Sequence, residues 1–190
     1  MDLGPYGIWT FNLDLVPSSQ ATEHVAELEE LGFGAVWIPE AVGREPLVSA
    51  ALLLRGGTKI VVATGIAGIY SRDAMTAAAG QKTLAEAFPD RFLLGLGVSH
   101  QVMVEGIRGH DYTKPYSAMK DYLDRMDGAL FMAAPPTVAP KRVLAALRPR
   151  MLRLAAERAD GALPYFVPPE HTASARETLG DGPMLCVEQA

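Results

Sequence analysis

Short apolar runs alternate with helix-patterned stretches along the whole chain, and that rhythm restricts the fold more than any other feature. The clearest run, Lys59 to Ile66 (KIVVATGI), is continuously apolar, as expected of a parallel strand whose outer face is covered. Arg91 to Val98 (RFLLGLGV) repeats the pattern. Further strands are expected at Gly4 to Asn12, Ala35 to Ile38, Arg142 to Leu147, Gly161 to Val167 and Met184 to Gln189. Between them, helices are predicted from a cap at Ser18 or Ser19 through Val25, Leu28 and Leu31, then over Pro46 to Leu54, Asp73 to Phe88, Tyr116 to Met132, Pro149 to Ala159 and Pro169 to Leu179. Strand–helix alternation of this kind is the signature of a parallel α/β fold.

Two parallel architectures compete. An open doubly wound sheet normally carries G-x-G-x-x-G after its first strand. Here that strand runs into Asn12-Leu13-Asp14-Leu15-Val16-Pro17 with no glycine, so a TIM-like (β/α) barrel is the better reading. About seven strands can be counted where a closed barrel needs eight, so the last helix and the eighth strand are expected to be missing. The proline-rich stretch Ala133 to Pro140 reads as a surface excursion, because the strand–helix rhythm resumes after it. The 190 residues are therefore taken as a single domain, 1–190, and 49% hydrophobic content suffices for its core.

Several function classes drop out. The net charge of −5, with lysines and arginines scattered among acids, offers no basic face for nucleic acid or anionic membrane. Cys186 is the single cysteine, which leaves no intrachain disulfide or cysteine metal cluster and fits a cytoplasmic location. No signal peptide is read at the N-terminus, and every apolar stretch breaks well before the roughly 20 residues of a membrane span. His24, His110 and His171 show no metal-ligand spacing and are read as structural; G-x-S-x-G is absent.

Ligands of a β/α barrel sit at the C-terminal ends of the strands. That rule selects Trp9, Thr10, Phe11, Glu40, Gly65, Ile66, Gly97, Ser99, His100, Leu147, Arg148, Tyr165 and Glu188. Glu40 closes Trp-Ile-Pro-Glu-Ala, where a carboxylate can orient or protonate a ligand or simply cap a helix. His100 closes Gly95-Leu96-Gly97-Val98-Ser99-His100; the glycines permit close backbone approach to a flat ligand, and an imidazole can exchange protons near neutral pH. In Leu147-Arg148-Pro149-Arg150-Met151, Pro149 suits a first helical turn whose free N–H groups would receive a phosphate beside Arg148 or Arg150. Ser99 to Lys114 is glycine-spotted and expected to be a functional loop.

Taken together, GIWTFN, FGAVWIPEAVGREP, VVATGIAGIYSRDA, TLAEAFPDRFLLGLGVSH and VLAALRPRMLRLAAERADGALPYFVPPEHT resemble the bacterial luciferase-like superfamily, and within it the branch of deazaflavin (coenzyme F420)-dependent oxidoreductases. The resemblance runs from about Pro5 to Gln189. It implies a barrel that holds a reduced flavin or deazaflavin at its mouth, with a non-proline cis peptide matching Gly65-Ile66 behind the ring. It further implies Glu40 on the reactive side, Gly97 to His100 lining the ring, and the cofactor phosphate at the turn after Leu147. Trp9, Gly65, Ile66, Gly97, Ser99, Leu147, Arg148, Pro149, Arg150 and Met151 are thus the expected cofactor contacts, with Glu40 and His100 handling protons. Relatives often carry glycine where this chain has Arg148, and they are normally longer. The implied activity is hydride transfer between F420 and a small organic substrate. The alternatives are an FMN-dependent luciferase-like monooxygenase and a non-catalytic flavin-binding barrel. The gap in the barrel wall implies either that the sequence is a fragment of a longer one or that a partner chain covers it, and a homodimer or higher homo-oligomer is expected.

Overall fold

The computed structural model describes residues 1–189. Eight strands form one all-parallel sheet: β1 (Gly7–Trp9), β2 (Ala35–Ile38), β3 (Val61–Thr64), β4 (Ala67–Gly68), β5 (Phe92–Gly97), β6 (Lys141–Ala145), β7 (Gly161–Leu163) and β8 (Met184–Leu185). Their order is β1-β2-β3-β5-β6-β7-β8, with the two-residue β4 continuing β3 and pairing with β5. Sequential neighbours pair in register, Trp9 beside Trp37, Ile38 beside Thr64, Leu96 beside Leu144. Six helices connect them: α1 (Ser18–Glu30), α2 (Pro46–Leu53), α3 (Ala74–Ala87), α4 (Pro115–Asp127), α5 (Pro149–Arg158) and α6 (Pro169–Leu179).

Residue alternation along the strands separates two cores. Val36, Ile38, Val62, Phe92, Leu94, Leu96 and Leu144 point outward and pack under the helices. Ala35, Trp37, Val61, Ala63, Leu93, Val143 and Leu163 point the other way into a second cluster, joined by Met1, Leu3, Trp9, Ile66, Met184 and Cys186. A sheet with apolar residues converging on its inner face is curled on itself, and this is a TIM-like barrel short of closure: β1 and β8 stand as the two outer strands.

Local chemistry sets the element ends. Glu45 accepts the Val48 N–H and Pro46 occupies the first position of α2. Asp73 caps α3 through the Thr76 N–H at 3.0 Å and hydroxyl at 2.6 Å, and α3 ends before Phe88 and Pro89. At α1 the expected serine cap is absent: Pro17 precedes the helix, Ser18 is its first residue, and the Thr22 hydroxyl bonds the Ser18 carbonyl. The strand expected over Lys59 to Ile66 is confined to Val61–Thr64; the Gly65–Ile66 peptide that follows is cis, as the resemblance implies, and the two-residue β4 comes after it. The first strand is shorter than expected and gives way to a 3-10 turn at Asn12–Leu15. The loop from Ser99 contains a π-helical turn, Val102–Ile107, whose start is bonded to the His100 carbonyl through the Met103 and Val104 N–H groups. Residues Ala133 to Pro140 form no strand or helix and stay between elements of the same sheet.

Candidate functional site

Of the residues selected from the sequence, Trp9, Glu40, Gly65, Ile66 and Gly97 are brought together at the C-terminal ends of β1, β2, β3 and β5. Trp9 donates its indole N–H to the Gly65 carbonyl at 2.7 Å. A Cβ on Gly65 would stand 2.9 Å from the Trp9 ring, so only glycine admits the indole this close. The glycines of β5 have the same purpose but a different occupant from the one expected. A Cβ on Gly95 would lie 2.0 Å from the Thr64 carbonyl oxygen, and one on Gly97 would lie 2.5 Å from Ile66 Cγ1. The space they leave is filled by the chain's own β3–β4 turn, and the flat-ligand reading of these two glycines is corrected accordingly: they seat Ile66, and Ile66 presents the surface.

Glu40 is the most heavily bonded side chain of the patch. Its Oε1 accepts from Arg72 Nη2 at 2.9 Å and Arg108 Nη2 at 3.2 Å; its Oε2 accepts from Arg72 Nη1 at 3.0 Å and the Gly68 N–H at 2.7 Å. The Glu40 N–H in turn donates to the Ile66 carbonyl at 3.2 Å, so one residue grips the β3–β4 turn from both sides. Arg72 also bonds Glu45 at 2.9 Å and the Gly68 carbonyl at 3.3 Å. Neither arginine stands out in the sequence. Arg72 lies six residues past Ile66 and Arg108 comes from the π-helical loop, and only the folded topology brings them to Glu40.

His100 is exposed at the end of β5 and makes no side-chain hydrogen bond among the described residues. Ser99, at φ +58°, offers its carbonyl to the Tyr112 hydroxyl at 3.3 Å, and the Tyr112 ring lies 5.7 Å from that of Tyr70. Burial raises the phenol pKa of both tyrosines, with the neighbouring Tyr112 adding to the effect at Tyr70. The Tyr70 hydroxyl is buried without a partner.

Beyond β6, Leu147 and Arg148 are exposed and Pro149 opens α5 as the sequence predicts. Arg148 and the first turn of α5 lie beside the β5 end of the patch, since β6 is the neighbour of β5. The Arg150 guanidinium lies over the Tyr116 ring at 4.3 Å, so its charge is already engaged, while Met151 is half-buried and its N–H turns back to the Arg148 carbonyl. His171 holds this turn from α6, with Nε2 2.7 Å from the Leu147 carbonyl, and its Nδ1 and the Thr172 hydroxyl are buried without partners. Cys186 packs inside the barrel, where burial pushes its thiol up to about 11 and keeps it protonated at neutral pH. Among the described residues no group of histidine, cysteine, aspartate or glutamate is arranged to hold a metal ion, and no helix is long and apolar enough to cross a membrane.

The profile of the luciferase-like monooxygenase family matches residues 11–182. A Mycobacterium tuberculosis protein named for coenzyme F420-dependent oxidoreduction is 27% identical over 87% of this chain and 56% of its own length. The 5,10-methylenetetrahydromethanopterin reductase of Methanolobus tindarius is 29% identical over 81% of this chain and 53% of its own. The chain thus spans about half the length of the curated relatives it matches. In fold it is similar to an F420-dependent secondary alcohol dehydrogenase solved with an F420–acetone adduct (TM-score 0.78, 15% identity, 96% of this chain and 67% of that one). It is also similar to the oxygenating constituent of 3,6-diketocamphane monooxygenase from Pseudomonas putida, solved with FMN (TM-score 0.73, 13% identity, 97% and 66%). With the family profile covering residues 11–182, which hold six of the eight strands of the curled parallel sheet, this chain belongs to the luciferase-like monooxygenase family.

Proposed function

We propose that the chain binds a deazaflavin of the F420 type at the C-terminal mouth of the barrel and takes part in hydride transfer to a small organic substrate. The observation that carries this reading is the floor of Trp9, Gly65 and Ile66, seated on the buried Gly97 and locked by the indole–carbonyl bond and by Glu40, with Ser99 following at the end of β5. A planar ring system needs such a pre-formed, largely apolar floor. The residues present fit the group at the turn Leu147, Arg148, Pro149, Arg150 and Met151: Pro149 has no N–H and the Met151 N–H is bonded to the Arg148 carbonyl, so the Arg150 N–H and the exposed Arg148 guanidinium are the donors that would receive the phosphate of a cofactor tail.

Bound there, a reduced deazaflavin would supply a hydride, that is a proton together with two electrons. The protein's part is to hold the ring, exclude water and deliver the balancing proton to the reduced substrate. His100, free at the mouth, is suited to that proton delivery. Glu40 is not suited to it, since both its oxygens already face donors; it serves as a fixed anion that shapes the floor. The relatives named for F420 chemistry support the deazaflavin, and the neighbour solved with FMN supports a second reading, an FMN-dependent monooxygenase on the same floor. We further propose that the protein acts in the cytoplasm as a homo-oligomer.

The test is a parallel fluorescence titration of the purified protein with F420 and FMN. Saturable binding of F420 and much weaker binding of FMN is the expected result. Preference for FMN moves the assignment to the monooxygenase, and binding of neither overturns both.

A further inference from the structure

We infer that His171 is a positioning residue for the cofactor phosphate: it turns the Leu147–Arg148 peptide so that the Arg148 N–H joins the donors at the start of α5, and as a cofactor contact this rests on the reading above. The His171 imidazole makes a single hydrogen bond among the described residues, with Nε2 2.7 Å from the Leu147 carbonyl. A carbonyl only accepts, so Nε2 carries the proton. The Leu147 carbonyl and the Arg148 N–H belong to one planar trans peptide and point in opposite directions. Holding the carbonyl on α6 therefore fixes the Arg148 N–H facing away from α6. That N–H has no protein partner among the described residues, and neither has the Arg150 N–H, whereas the Met151 and Leu152 N–H groups both return to the Arg148 carbonyl. Two backbone donors and the Arg148 guanidinium are thus left at the turn for a tetrahedral oxyanion.

Several observations set this apart from a bond that merely docks one helix on another. Docking does not need it: Leu152, Leu154 and Ala155 of α5 and Ala175 and Leu179 of α6 are buried in one apolar cluster, while Leu147 is 49% exposed. The first turn of α6 leaves the His171 Nδ1 and the Thr172 hydroxyl buried without partners, so its side-chain bonding is directed at the Leu147 carbonyl and not at its own polar atoms. Arg148 stands at φ −117° and ψ 153°, extended backbone open to any residue, so its side chain does not oppose the orientation. The turn does not lie at an outer strand either: β6, which leads to it, pairs with β5 on one side and β7 on the other.

The experiment is a titration of the cofactor-free protein with inorganic phosphate, followed by amide proton–nitrogen NMR, for the parent, His171→Leu and His171→Gln. In the parent, the Arg148 and Arg150 amides should shift together and saturably. His171→Leu should abolish the Arg148 shift, keep that of Arg150 and weaken phosphate by about fivefold. His171→Gln, whose amide can donate to the same carbonyl, should restore most of the loss. Should His171→Leu not fold, His171→Asn, too short to reach the carbonyl, takes its place. F420 and 8-hydroxy-5-deazariboflavin, which carries the same ring without a phosphate, supply the second readout. His171→Leu should weaken F420 by about fivefold and leave the phosphate-free compound within about twofold, whereas a bond that only supports the fold would weaken both alike. The inference is overturned if the Arg148 amide of the parent does not respond to phosphate, if His171→Leu responds as the parent does, or if both ring compounds weaken equally. A parent that takes phosphate at both amides but does not bind F420 loses the cofactor reading and keeps the phosphate-positioning role of His171. A parent that binds F420 with a silent Arg148 amide does the reverse.

Discussion

Arg72 and Glu40 meet through two near-parallel hydrogen bonds, 2.9 and 3.0 Å long, with each side chain only 7% exposed. A fork-to-fork pair of this kind is worth more for what it fixes than for its net energy, because desolvating two charges offsets most of their attraction. What it fixes here is the β3–β4 turn, through the Gly68 N–H and carbonyl. Removing the arginine alone leaves a buried carboxylate with only Arg108 and one backbone donor. Arg72→Met should therefore destabilise the fold by about 2–4 kcal/mol, whereas the pair Arg72→Met with Glu40→Met should cost less than the sum of the two. Urea unfolding of the three variants measures this, and strict additivity would show that the two residues are uncoupled.

The glycines of β5 should differ in their sensitivity. Gly97→Ala meets Ile66 Cγ1 and Cδ1 and the Ala145 Cβ, all side-chain atoms that can shift, and is expected to cost about 1–2 kcal/mol. Gly95→Ala meets the Thr64 carbonyl, which is backbone in the middle of the sheet, and is expected to cost about 3 kcal/mol. Denaturant midpoints decide the order, and a more damaging Gly97→Ala would contradict the packing described for Ile66.

Glu29 predicts the acid limb of stability. Burial by itself raises its carboxyl, but the N–H groups of Ile60, Lys59 and Thr58 and the Thr58 hydroxyl converge on it and hold it at about 2, against an ordinary value of 4.5. The folded pKa is depressed, so the contribution is fully present above about pH 4.5 and is lost as pH falls toward 2. Solvent screens part of it, leaving about 1–2 kcal/mol. Thermal melts from pH 6 to 2.5 should show Glu29→Gln less stable than the parent at pH 6 and converging with it at the acid end; a constant gap across the range would assign the effect to something other than ionisation.

His100 separates binding from chemistry. With no protein partner to lose, His100→Ala should leave cofactor affinity within about twofold while slowing hydride transfer by about 10²–10⁴. The two readouts are an F420 titration and a single-turnover absorbance trace, and an unchanged rate removes the imidazole from the proposed step.

Much of the architecture was legible because it is written in local terms. Lys59 to Ile66 and Arg91 to Val98 are too apolar for anything but covered strands, and prolines at 46, 149 and 169 mark helix starts by removing a donor that a first turn does not use. The cis peptide at Gly65–Ile66 was reached through the resemblance, whereas the two-residue β4 after it was not foreseen, since Ala67 and Gly68 carry no strand signal of their own. Strand ends were overextended at Gln189, Val167 and Asn12 for the same reason: apolar residues continue into loops that line the barrel mouth. In the site, Glu40 was found by position, but its partners Arg72 and Arg108 are 32 and 68 residues away and depend on topology. The hold of Glu188 on the Phe166 N–H follows from a bridge to Tyr165 that no spacing rule encodes.

The contact between Trp9 and Tyr165 has a mechanical meaning. The sheet is a split ring, and at the mouth the two sides of the split are spanned by a pair of touching rings in place of a backbone ladder. Two side chains thus meet where no backbone ladder joins the strands, and Tyr165→Ala would remove that contact while leaving the pairing of every strand in place.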